Sequence, residues 1–353
     1  MKNTTKIITK KRALKAGLLL LLIAMLFRPT IALEGAKSGL LLWFNTVLPT
    51  LLPFIIISSL IVKLQITRIL SKILYPLLKH LLPISQNGSY PVFIGFLSGI
   101  PVGAKTVADL RSAHDISLPE GQYLLALCNN ASPMFILGYI CQTQLSLPNT
   151  GIILIGIIYL SAIISAGLLS IVNLKKSKKN SPSYSDEDAY RITSNTTLKK
   201  STLHAAALPQ SSPVTPDALT LPKKEPFRFA QFDEAILSGF EVVTKVGGYI
   251  ILFSVLANLI GALPFLNRSY TALLTGILEI TTGIHNIAVA SFTIQKKIVL
   301  ISTITAFGGL SGLAQTGSVL GDSGLSVKTY FLTKLVSAMC AFLLSSLYVG
   351  FLF

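Results

Sequence analysis

The chain has 353 residues, of which 51% are hydrophobic and only 12% charged, with a mean hydropathy of +0.67. A soluble domain carries about 25% charged residues, and several stretches here approach the ~20 apolar residues that cross a bilayer, so composition excludes an ordinary soluble globule and points to an all-helical polytopic membrane protein. The formal net charge of +16 does not call for nucleic acid as a partner, because lysine and arginine gather between apolar segments as the positive-inside bias requires.

The N-terminus places Lys2, Lys6, Lys10, Lys11, Arg12 and Lys15 around the start of "AGLLLLLIAMLF". No small-x-small cleavage site follows and Arg28-Pro29 interrupts the run, so the stretch reads as a first membrane helix with a cytosolic N-terminus rather than a signal peptide. Apolar segments are predicted near 14–33, 39–62, 121–143, 149–174, 236–262, 270–291 and 329–353. Residues 63–83, where Lys63, Arg68, Lys72 and Lys79 alternate with Leu and Ile, suit an amphipathic helix in the membrane interface. Residues 91–106 and 298–321 are apolar but dense in glycine. From Lys175 to Arg228 the chain turns polar, and this stretch reads as a linker without a packed core. The organisation is therefore a basic cytosolic tail (1–12), a first membrane half (13–174), a polar cytosolic loop (175–234) and a second membrane half (235–353).

Lysine and arginine set the orientation of a multi-pass protein in the cell membrane. The N-terminal tail, residues 63–80, the polar loop and Lys296-Lys297 are predicted on the cytosolic side, whereas the opposite connections hold only Lys37 and Arg268. An even number of crossings must then lie between residue 83 and the polar loop, yet three apolar stretches occupy that interval. The glycine-rich 91–106 is predicted to re-enter or break. The two halves also echo each other. "FLSG" at 96–99 parallels "GLSG" at 309–312, and "PFIIISSLIVKL" (53–64) parallels "GYIILFSVLANL" (248–259) in a helix of opposite direction. These features suggest an inverted repeat with a re-entrant or broken helix in each half, the arrangement in which substrate sites form near the midplane.

Candidate site residues follow from polar groups in apolar surroundings. In "GFLSGIPVGAKT" (95–106), Gly99, Pro101 and Gly103 break a helix where only a cavity or packed protein tolerates irregular backbone. Half-helix N-termini and Lys105 would attract an anion there, with Ser98 beside them. The stretch resembles a phosphate-binding P-loop only superficially, since the glycine spacing is wrong and no sheet precedes it. "CNNASP" adds Asn129, Asn130 and Ser132 at membrane depth, where polar residues are functional candidates. "GGLSGLAQTG" (308–317) supplies Ser311 and Gln315 at a second break. For proton or ion coupling the candidates are Glu241 and Lys245, four residues apart on one helix face, with Glu279, His285 and Asn286 in "LEITTGIHN". The three cysteines lie in apolar segments without metal spacing, so no metal and no cofactor is predicted.

"GFLSGIPVGAK" followed by "LLALCNNASPMFILG" resembles the sporulation integral membrane protein family called YlbJ, a relative of membrane proteins with nucleoside-recognition, or Gate-type, domains. The resemblance continues more weakly through "GGYIILFSVLANLI", "GILEITTGI" and "AFGGLSGLAQ". Ile100 stands where an aromatic residue is expected, and "NNASP" replaces a run closer to Asn-Asn-Ser-Gly-Pro. The resemblance implies a role in endospore formation, as a transporter carrying dipicolinic acid across the outer forespore membrane.

The expected function is therefore secondary transport of a small anionic solute, with that solute and the lipid bilayer as partners. Alternatives are a nucleoside or other metabolite permease and a non-transporting scaffold whose polar loop docks a partner. An intramembrane enzyme is not expected, since neither H-E-x-x-H nor G-x-S-x-G occurs and no Asp pair faces across segments. Sequence alone sets no oligomeric state.

Overall fold

The computed structural model describes residues 2–64, 66–180, 229–263 and 267–352. Most of the predicted polar loop, residues 181–228, lies outside the described residues. Among those described, every regular element is helical, and one compact unit comprises residues 2–170 and 229–352. It is a multi-pass membrane protein: among the described residues four helices are long and apolar enough to cross singly, and counting one bent pair as a span gives a fifth.

That pair begins with α1 (Lys2–Phe27) and α2 (Pro29–Leu42). Proline disfavours helical geometry in the residue before it yet is at home in a helix's first turn. Arg28 accordingly leaves the helical region, with φ −131° and ψ 59°, and the run predicted as one segment bends by 106°. A π-helical turn, Trp43–Val47, leads into α3 (Leu48–Lys63). Next, α4 (Thr67–Leu78) exposes Ile69, Ile73 and Leu77 on successive turns, the interfacial stripe that the sequence suggests.

The glycine-rich stretch forms α5 (Ser89–Ser98) and α6 (Val102–Ser112). At 1.5 Å per residue neither can cross ~30 Å of hydrocarbon. They fold back on each other as a hairpin: a Cβ on Gly103 would lie 3.2 Å from the Gly95 Cα, and both glycines abut the Cys128 carbonyl. At its feet, Asn87 Nδ2 donates to the Asp115 carbonyl at 3.2 Å. The chain thus returns to the side it left.

The next segment is interrupted at its middle. α7 (Leu118–Cys128) is capped by Ser117, whose hydroxyl accepts from Glu120 N–H, and a break at 129–132 precedes a helical segment that continues as the π-helical Phe135–Gln144. Then α8 (Gly151–Asn180) closes the first half.

The second half repeats this order. α9 (Phe229–Gly261) is a long helix, followed by α10 (Arg268–Leu278) and α11 (Ile280–Val289), then α12 (Ile294–Phe307) and α13 (Gly309–Leu320), and finally α14 (Val327–Leu352). α10 and α11 form a second hairpin, in which a Cβ on Gly283 would overlap the Gly276 Cα and Asn286 Nδ2 donates to Thr275 Oγ1 at 3.0 Å. Here the sequence expectation needs correction. Residues 270–291 read as one crossing segment, but Glu279 divides them into two helices of 11 and 10 residues. The hairpin returns the chain to the side of residue 267, so Lys296-Lys297 does not join the other basic clusters on one face. Lys297 Nζ instead donates to the Ala288 carbonyl at 2.5 Å, which satisfies the carboxyl end of α11. The stretch 298–321 is broken as expected, at Gly308 between α12 and α13, within an element long enough to cross.

Equivalent elements of the two halves run in opposite directions. Gly35 meets Val255, Gly39 meets Ile251, and Gly239 meets Leu52 and Ile56, while Trp43 Nε1 donates to the Val243 carbonyl at 2.8 Å. α2 and α3 are therefore antiparallel to α9. α8 touches α14 where Ser161 meets Ser337 at 3.1 Å, and Ile157 clusters with Ala306 and Ala341. This order and direction fit an inverted repeat. They match the hairpin at 89–112 with 268–289, whereas the short sequence echo had set 96–99 beside 309–312. The span containing α12 and α13 is 61% buried along its apolar length, against 33–39% for the other three, so this broken helix is the central element.

Candidate functional site

Four interruptions come together: the two hairpin tips, at Gly99–Pro101 and Glu279, and the two helix breaks, at 129–132 and Gly308. They surround a cavity of about 80 Å³, well above the ~15 Å³ that one water needs. Its wall includes Ser98 and Ile100 from the first hairpin, Ser132 and Phe135 from the broken segment, and Glu279 and Thr281 from the second hairpin. Gly308, Ser311, Gly312 and Gln315 line it at the start of α13.

Each break has a local cause. Gly99 has φ +79° and Gly308 φ +85°, the left-handed region that side chains with a Cβ avoid. A Cβ on Gly99 would also come within 2.7 Å of Ser132 N–H nitrogen, so the hairpin tip sits directly on the second break. Ile100 N–H donates to the Asn130 carbonyl at 2.8 Å, joining the same two segments. Its side chain reaches across to the other half, where a Cβ on Gly308 would lie 3.3 Å from Ile100 Cδ1. At Glu279 the cause is a cap. The carboxylate accepts from Thr282 N–H at 2.7 Å, Thr281 N–H at 3.2 Å and the Thr281 hydroxyl, so the amino end of α11 holds its charge.

Asn129 and Asn130 are fully engaged. Asn129 Nδ2 donates to Thr316 Oγ1 at 2.7 Å and Tyr330 Oη at 2.8 Å, and its Oδ1 accepts from Ala104 N–H at 3.3 Å. One side chain therefore binds α6, α13 and α14 together. Asn130 Nδ2 donates to the Leu127 carbonyl at 2.6 Å, and its Oδ1 accepts from Lys334 Nζ at 3.0 Å. Neither asparagine lines the cavity. They hold the break in shape while Ala131 and Ser132 face the space.

Of the predicted substrate residues, the structure brings Ser98, Ser132, Ser311 and Gln315 to the cavity. Gln315 Nε2 donates to Ser311 Oγ at 3.0 Å, and Ser132 Oγ accepts from Phe135 N–H at 3.3 Å. Ser98 Oγ is buried with no hydrogen-bond partner among the described residues. Gly99 and Pro101 shape the tip, and Gly103 packs on Cys128. Lys105 lies elsewhere. Its ammonium pairs with Asp109 at 2.8 Å, in a separate cleft with Lys63, Ser58 and Ser238.

The predicted coupling residues are scattered, with only Glu279 at the cavity. Glu241 and Lys245 form an exposed ion pair at 2.6 Å. His285 is exposed, its Nδ1 3.2 Å from Gln144 Oε1, and Asn286 borders a different cleft with Asn258 and Thr271. Sequence reading missed Lys334. Among the described residues, Glu279 and Lys334 are the charged side chains that are buried. A lysine at the sixth position of the last apolar segment reads as an interfacial anchor, and only the fold shows it at the junction of the two halves.

No family profile matches the chain, and no solved structure matches it. Among curated proteins, the sporulation integral membrane protein YlbJ of Bacillus subtilis (strain 168) is 28% identical over 346 residues, which cover 92% of this chain and 79% of that relative. That likeness runs through both hairpins and both broken helices, and it supports a membrane protein with a role in sporulation. Over most of its length the chain is similar to that sporulation integral membrane protein.

Proposed function

We propose that this protein is a secondary transporter of a small anionic solute, with dipicolinic acid as the candidate that the family resemblance supplies, acting at the outer forespore membrane. The observation that carries this reading is the cavity at which four backbone interruptions from two antiparallel halves converge. Each interruption frees peptide groups that lipid would penalise by several kcal/mol, and their convergence on one space is the arrangement of an alternating-access site. Three features favour an anion. α13 begins beside the cavity without a side-chain cap, which puts the positive end of its dipole near the space. The Ser98 hydroxyl is a donor without an acceptor. The Glu279 charge is already held by the amino end of α11. The reading includes no reaction chemistry, and the sequence lacks a nucleotide-binding motif to drive a pump, which supports coupling to a gradient.

One observation favours the alternative permease. Glu279 is a carboxylate in the cavity wall, and it could accept hydrogen bonds from the hydroxyl or amino groups of a neutral nucleoside. Purified protein in liposomes, offered labelled dipicolinate or labelled nucleosides, separates the two. We expect saturable dipicolinate uptake that unlabelled dipicolinate competes and nucleosides do not. Uptake of nucleosides alone would make the protein a permease, and uptake of neither would remove the transport reading.

A further inference from the structure

Lys334 is buried in α14, at 2% exposure. Its ammonium has three donors. One reaches Asn130 Oδ1 at 3.0 Å and another the Asn129 carbonyl at 3.4 Å. Both acceptors are neutral, and among the described residues no carboxylate lies within ion-pair distance: the three ion pairs are Lys63–Glu234, Lys105–Asp109 and Lys245–Glu241. A lone buried cation is costly, and intramembrane charges of this kind mark substrate or ion pathways.

Its position connects it to the cavity. A Cβ on Gly308 would stand 3.7 Å from Lys334 Cε, and Gly308 lines the cavity. The lysine stem therefore lies directly behind a wall residue that has no side chain. On the other flank, Asn130 is followed by Ala131 and Ser132, which also line the space. The side chain standing before this opening is Ile100, whose Cδ1 would touch a Cβ on Gly308 at 3.3 Å and one on Gly312 at 3.7 Å. Ile100 sits at the tip of the first hairpin.

We propose that Lys334 is the fixed countercharge for a carboxylate of the transported solute, reached past Gly308 when Ile100 moves aside. This inference rests on the transporter reading and narrows its substrate class to small dicarboxylates. One carboxylate pairs with the Lys334 ammonium, while the donors of Ser98 and the start of α13 receive the other. Neutral analogues of the same shape lose the charge-assisted contact.

The test measures binding of dipicolinate and of its neutral diamide, pyridine-2,6-dicarboxamide, to purified wild-type protein and to Lys334→Gln. Glutamine keeps a donor for Asn130 Oδ1, so a purely structural lysine would be largely replaced. The expected wild-type preference for the dianion is about 30-fold or more, the scale of a buried charged contact. In Lys334→Gln the dianion should weaken by about that factor while diamide binding changes less than about threefold. Equal weakening of both ligands, or retained preference in the variant, overturns the inference and leaves the transporter reading standing. A wild-type protein that binds the diamide as tightly as the dianion overturns it without any variant, which covers the case of a variant that does not fold. Wild-type binding of nucleosides but of neither pyridine compound overturns this inference together with the anion reading.

Discussion

Ser98 separates the requirements of the site from those of the fold. Its hydroxyl is buried without a partner among the described residues, and an unsatisfied buried donor costs about 1–3 kcal/mol. Replacing it by alanine removes that liability and leaves no cavity larger than an oxygen atom. Ser98→Ala should therefore keep or slightly raise the thermal midpoint in detergent, while weakening dipicolinate binding by about three- to tenfold, the worth of one hydrogen bond. A fall in stability with unchanged binding would assign the hydroxyl to the fold. Asn129 presents the opposite case, since its amide already bridges three helices.

The hairpins and broken helices differ in how plainly the sequence announces them. Gly95, Gly99, Pro101 and Gly103 mark the first hairpin through residues that disrupt or thin a helix, and the charge pattern independently required a non-crossing stretch there. The second hairpin has no such mark at its tip. Glu279 ends one helix and starts the next by capping Thr281 and Thr282, and a carboxylate in an apolar run looks the same whether it caps or points sideways from an unbroken helix. The glycines that permit the fold-back, Gly276 and Gly283, flank the tip and read as ordinary packing residues. Single cysteines test both hairpins. Those at Gln86 and Ala113 should react with a membrane-impermeant maleimide from one face, and those at Ala262 and Ser291 from the opposite face. Wild-type protein is the blank, as Cys128 and Cys141 are buried and Cys340 is half-buried. A hairpin whose two feet label from opposite faces would be a crossing helix instead.

Across the whole molecule, the legible part was what recurs along the chain: apolar segments, their flanking charges, and the two glycine-dense stretches. The site itself was legible only in part. Ser98, Ser132, Ser311 and Gln315 stood out as polar groups near breaks, whereas the engagement of the asparagines and Lys334 depends on partners about 200 residues away, which no local pattern records. Lys105 carried the right charge for an anion, but its i,i+4 neighbour Asp109 takes it up on an exposed face. One hairpin tip and one helix break from each half surround a common space. The most direct test is a structure determined with saturating dipicolinate. The solute should lie between Ser98, Ser132, Gln315 and the start of α13, with Ile100 moved away from Gly308 and Lys334 exposed to it. Solute bound in the Lys63–Lys105 cleft, with the central cavity empty, would contradict it.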